Sequence, residues 1–261
     1  MLRSALRGAA VLLLSISAAL ADPSTAFPEK LWDPDLLRLL SVGPSWLDDD
    51  MEIGLPEPPP PGSPALDREI ARLHALAPLR TAGTITLIHR ENDPAMTAPD
   101  AFRGAGLLPP PDEAPAAWAL ARRSVAEVRW FILREKWRFR YPRPSHVDPT
   151  LGTVIPVPPH AAYPSGHSGE AHAVALVLSL VDPDCAEAYL THALEVAVRR
   201  EVAGVHYHMD TLAGIHVART VVSEMLRRGH FGDLPEKAAS DLSERAETGF
   251  SCHRDSLPAG R

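Results

Sequence analysis

Residues 112–139, DEAPAAWALARRSVAEVRWFILREKWRF, decide the fold. Trp118, Ala121, Val125, Val128 and Ile132 recur at spacings of three and four, the period of an apolar stripe along one face of a helix. The pattern predicts one helix over the whole stretch, ended by Pro142, which cannot continue it. Four residues past Ile132 the stripe reaches Lys136. An unpaired buried charge is costly, so Lys136 either serves an anion or threads its ammonium out at the helix end.

Helical periodicity extends outward from this segment. Ser63-Pro64 reads as a cap followed by proline at the first helical position, opening a helix to about Ala77. Ser165 caps a helix that runs to Val181, and Asp182-Pro183 stops it and opens another to about Arg200. Gly204 interrupts the pattern, and a last helix runs from near His206 to Arg228, closed by Gly229. The best strand signal is the short run Gly83–Ile88. Prolines cluster over Leu55–Pro64 and Leu108–Pro115 as extended connections. The expected architecture is all-α: a single helical-bundle domain over residues 22–235 with a proline-rich N-terminal portion, then a polar C-terminal tail over 236–261.

Residues 1–21 read as a secretory signal peptide. Arg3 and Arg7 precede the apolar run Ala9–Leu20, and Ala19-Leu20-Ala21 forms a small-x-small cleavage site. The expected location is therefore periplasmic or secreted. Removing the segment takes away two arginines and no acid, so the net charge moves from −7 to −9. That balance argues against nucleic acid as a partner, and any phosphate-binding cations must be locally focused. No later segment has about twenty uncharged apolar residues, so no integral membrane segment is expected in the mature chain. Export allows a disulfide between Cys185 and Cys252, but two free thiols fit the sequence equally well.

Three polar blocks carry the chemistry. In Pro164-Ser165-Gly166-His167 a helix N-terminus offers free backbone N–H groups to an anion, and Gly166 lets that anion come close. Ser165 can cap the helix or donate to the anion, and His167 stands at the rim, able to give or take a proton. In Arg200…His206…Asp210 the histidine and the aspartate are four apart, so a helix would place them on one face. A carboxylate on one ring nitrogen makes the other a better nucleophile, and Arg200 supplies a permanently charged planar fork. The bland reading of the pair is a core histidine satisfied by its neighbour. The third block is Lys136…Arg143-Pro144. His206-x-His208-x-Asp210 is a poor metal motif, because two helical residues two apart point about 200° apart. No metal site is expected.

Taken jointly, the blocks resemble the type 2 phosphatidic acid phosphatase superfamily, which includes bacterial class A acid phosphatases and vanadium haloperoxidases. Lys136–Pro144 meets the pattern Lys-x6-Arg-Pro, Pro164–His167 meets Pro-Ser-Gly-His, and Arg200, His206 and Asp210 meet Ser-Arg-x5-His-x3-Asp. Arg199 departs from the last pattern, where the family usually has serine. The resemblance covers roughly residues 55–225. It implies His206 as a nucleophile forming a phosphohistidine, Asp210 as its orienter, and His167 as the acid that protonates the leaving alcohol. Lys136, Arg143, Ser165, the Gly166 amide and Arg200 would bind the phosphoryl oxygens.

The function so implied is an exported acid phosphatase acting on small phosphomonoesters, with no cofactor required; a homo-oligomer is compatible with the sequence. One alternative is a haloperoxidase holding vanadate in the same pocket. Lys136-Trp137-x-Phe139-x-Tyr141 is similar to the aromatic run of those enzymes, and His160 sits where some bromoperoxidases carry a histidine. A lipid-phosphate phosphatase is a further alternative.

Overall fold

The periodic segments form ten α-helices in a computed structural model that describes residues 26–247 and Cys252. These are α1 (Pro34–Val42), α2 (Pro64–Leu76), α3 (Ala82–Glu91), α4 (Ala98–Gly104), α5 (Pro115–Phe139), α6 (Pro144–Val147), α7 (Gly166–Val181), α8 (Ala186–Val202), α9 (His208–Arg227) and α10 (Leu234–Glu247). No strand occurs among the described residues. The signal peptide expected over 1–21 lies outside them.

The all-α bundle is built around α7, which packs against α5, α8 and α9. Its Val174, Val177 and Leu178 are fully buried, and each such side chain contributes about 1.5–3 kcal/mol relative to exposure. The α5 stripe faces the same core: Trp118, Ala121, Val128 and Ile132 are buried, and so is Lys136.

α7 and α9 approach closely because of two glycines. A Cβ on Gly214 would lie 2.6 Å from the Ser165 carbonyl and 2.9 Å from Ser168 Cβ. A Cβ on Gly169 would run into Ile132. This contact sets the start of α7 beside the start of α9, where the Ser165 amide donates to the Asp210 carbonyl at 2.9 Å.

The structure departs from the sequence expectations at four places. The expected strand Gly83–Ile88 is part of α3, where Thr81 caps the Thr84 amide. Burial follows a helix there, with Ile88 inside and Leu87 out, so local capping and packing override the β-branched composition. α5 begins at Pro115, three residues later than Asp112. α9 begins at His208, so His206 sits in the turn before it.

The fourth departure is α10, which spans the expected boundary at residue 235. It packs on α5 and α7, with Ala238 and Leu242 buried. Ala114, at the N-cap of α5, has no capping side chain. Asp241 of α10 takes its place, accepting from the Ala116 and Ala117 amides at 2.7 and 3.2 Å. A polar-looking residue thus satisfies two of the free donors at a helix start.

Cys185 and Cys252 form a disulfide that closes a loop of sequence separation 67. Loop-closure entropy for that span gives a stabilisation of about 4 kcal/mol. Reduction, or Cys252→Ser, is therefore expected to lower the unfolding free energy by an amount of that order, read as a lower denaturant midpoint in an equilibrium unfolding curve. An unchanged midpoint would show that the bridge constrains nothing.

Candidate active site

Lys136 leaves α5 one turn before the helix ends in Arg140, a non-glycine residue in the left-handed region at φ 47°. Its ammonium is buried and donates to the Ala161 and Ala162 carbonyls at 2.8 and 2.7 Å. The loop that leads into α7 thus holds the charge in place of an acidic side chain. Burial, and then Arg143, pull its pKa well down, against Asp210 and Glu170.

Arg143 follows on the next loop and is fully buried. Its Nε donates to the His160 carbonyl at 2.9 Å and Nη1 to the Val205 carbonyl at 2.8 Å. Nη2 contacts His160 Nδ1 at 2.9 Å, and Nη1 also reaches His206 Nε2 at 3.0 Å. A guanidinium only donates, so His206 Nε2 is the acceptor and its ring proton sits on Nδ1. Nδ1 in turn donates to Asp210 Oδ2 at 2.8 Å.

Asp210 Oδ2 also accepts the Tyr207 amide at 3.1 Å, capping α9. This fixes the turn that carries His206, so the pairing expected on one helical face arises instead across a helix start. Both donors fall on Oδ2, while Oδ1 is buried with no partner among the described residues. Burial, with a smaller push from Glu69, raises Asp210 to about 7, against the pull of Lys136, the Tyr207 amide and Arg143. Burial, Arg143, Lys136 and Arg200 hold His206 well below the usual histidine range. His206 is therefore a neutral imidazole whose Nε2 lone pair faces the cations.

Ser165 caps α7 through its hydroxyl, which accepts the Ser168 amide at 3.4 Å. The first amides of α7 are left without intrahelical partners, and beside Gly166 the space where a Cβ would stand is open. His167 Nε2 donates to the Glu91 carbonyl at 3.0 Å, which leaves Nδ1 for chemistry. Burial first, then Arg200, push His167 down to about 3.

Arg200, in the last turn of α8, is 1% exposed. Its Nη2 donates to Asn92 Oδ1 at 3.1 Å, while Nε and Nη1 are buried with no hydrogen-bond partner among the described residues. Burial lowers Arg143 to about 9 and Arg200 to about 10, so both remain charged at neutral pH.

Lys136, Gly166, His167, Arg200 and His206 line one cavity of about 350 Å³ together with His160, Glu91 and Asn92. Arg143 joins it through His206, and Ser165 and Asp210 support it from beneath. All three sequence blocks thus meet at one place. Its chemistry is that of an anion site: three buried cations and free helix amides around a neutral imidazole.

His208 points elsewhere, to Glu201 at 3.0 Å. Among the described residues no group of three or more His, Cys, Asp or Glu side chains could hold a metal ion. Glu91 and Asn92 were not legible as site residues, because they lie far upstream of every block and their roles arise only where α3 meets α8.

Residues 116–229, which hold all three blocks, match the model of the PAP2 superfamily. A bacterial vanadium-dependent iodoperoxidase of known crystal structure has the same fold, with a TM-score of 0.60 at 18% identity. The match covers 80% of this chain and 62% of that one. No curated protein sequence matches the chain. Among the described residues no helix is long and apolar enough to cross a membrane.

Proposed function

We propose that the protein is an exported acid phosphatase that hydrolyses small phosphomonoesters through a phosphohistidine on His206. The observation that carries this reading is the His206 ring, with Nδ1 tied to Asp210 and the Nε2 lone pair turned to Arg143. In the first step the Nε2 lone pair attacks phosphorus while the phosphorus–oxygen bond to the alcohol breaks. The leaving oxygen takes a proton from His167 Nδ1. In the second step His167 Nδ1 takes a proton from water as its oxygen attacks phosphorus, and the phosphorus–nitrogen bond breaks to release phosphate. Lys136, Arg143, Arg200 and the α7 amides stabilise the equatorial oxygens throughout. The disulfide is in keeping with an oxidising compartment.

The direct test is hydrolysis of a chromogenic phosphomonoester with and without chelator. Turnover unaffected by chelator is expected; no turnover between acid and neutral pH would refute the reading. The pH dependence has a definite sign. His167 must be protonated to act as acid, and in the free protein its pKa is depressed to about 3. For an alkyl ester kcat/KM should therefore fall as pH rises above that value. A bound phosphoryl group offsets Arg200, Arg143 and Lys136, so the corresponding limb of kcat should lie at higher pH. Rate profiles that rise toward alkaline pH would contradict this.

A second reading rests on His160, which lines the cavity and contacts Arg143. Arg200 Nε and Nη1, buried and without a partner among the described residues, suit vanadate as well as a phosphoryl group. His206, Lys136, Arg143, Gly166 and Arg200 would hold it. Bound there, vanadate would supply the oxidation of halide by peroxide. Halide oxidation that depends on added vanadate would favour this reading.

A further inference from the structure

Arg199, which stands where the family usually has serine, is not used by the mechanism above. It points to Glu91 at the end of α3. Arg199 Nε donates to Glu91 Oε1 at 2.8 Å and Nη2 lies 2.6 Å from the same oxygen, with both side chains largely buried. The next residue along α8, Arg200, bonds Asn92. The Glu91 backbone carbonyl accepts His167 Nε2. Two consecutive arginines of one helix end thus grip two consecutive side chains, and the carbonyl between them orients the proposed acid.

We infer that Arg199 and Glu91 are positioning residues for His167. Their ion pair pins residues 91–92 so that the Glu91 carbonyl holds the proton on His167 Nε2 and presents Nδ1 to the leaving group. Without Arg199 the Glu91 carboxyl loses its one side-chain hydrogen-bond partner among the described residues and keeps only the weaker pull of Arg200 and Arg90 against its burial. Loss of Arg199 therefore frees Glu91 and with it the carbonyl.

The role in protonation rests on the phosphatase reading, and the test separates the two. An alkyl phosphate needs its leaving oxygen protonated, whereas nitrophenolate leaves unaided. Arg199→Ser should lower kcat for an alkyl phosphomonoester by about 10²-fold, the scale of general acid catalysis, with only a few-fold change for the nitrophenyl ester. Arg199→Lys should recover part of the loss. Long-range nitrogen–proton NMR should show the Nε2–H form of His167 in the native protein and its loss in Arg199→Ser. If circular dichroism shows that variant to be unfolded, Glu91→Gln, which keeps shape and carbonyl but removes the charge, should show the same selective loss. Equal losses on both esters, or an unchanged His167 tautomer, would overturn the inference. Failure of the native protein to hydrolyse either ester would refute the phosphatase reading alone, since the tautomer measurement needs no turnover.

Discussion

His206→Ala is expected to lower kcat by about 10⁴-fold or more, the scale seen when a covalent nucleophile is removed. No other group can take its place. Among the described residues that line the cavity, His167 Nδ1 is also free for chemistry, but the proposed mechanism uses it as the acid. His160 accepts Arg143 at Nδ1, so its ring proton sits on Nε2, which has no lone pair with which to attack. The substitution leaves Lys136 on its two carbonyls and Arg143 on the His160 and Val205 carbonyls, so the cation set survives. Oxyanion affinity, measured by inhibition or calorimetry with inorganic phosphate, should therefore change far less than kcat. Retained turnover would remove His206 from the mechanism. Loss of phosphate binding in step with turnover would mean that the residue builds the site and does not attack.

Asp210→Asn is expected to reduce both rate and stability. The carboxylate accepts two donors, His206 Nδ1 and the Tyr207 amide. An amide oxygen standing where Oδ2 stands can still accept both donors but brings no charge, and the amide turned the other way, with NH₂ toward His206, would force the ring proton onto Nε2. That nitrogen would then lose its lone pair and oppose Arg143. A wrong tautomer of this kind costs about 10⁴-fold in a related histidine–aspartate pair. The stability loss arises because Asp210 is the buried anion acting on Lys136 and Arg143. Leaving buried cations uncompensated costs about 3–5 kcal/mol. Phosphate binds only the folded state, so it should restore part of the loss in thermal unfolding. An unchanged melting temperature would show that the cations do not depend on Asp210.

Much of this is legible in the sequence. The α5 stripe placed Lys136 in the interior, and the Ser165 cap located the start of α7. What periodicity could not show was the connection between elements. The strand expectation at Gly83–Ile88 failed because a few β-branched residues carry less weight than a Thr81 cap and one buried face. α10 was missed because its buried positions, Ala238 and Leu242, sit among charged residues, and the work of Asp241 as a cap for α5 depends on a partner 124 positions or more away. Glu91 and Asn92 stayed invisible for the same reason. Their contacts to Arg199 and Arg200 span 108 positions and follow no local period. The three blocks could be read because each packs several chemically specific residues into a few positions.

The central claim is that His206 Nε2 carries the phosphoryl group. Rapid quench under alkaline conditions, which preserve phosphohistidine, followed by peptide mass spectrometry tests it most directly. In the native protein, and more strongly in His167→Ala with a nitrophenyl ester, one phosphoryl group should be found on His206, because the second step needs His167 to activate water. A phosphoryl group on another residue, or none on His206 during confirmed turnover, would contradict the account.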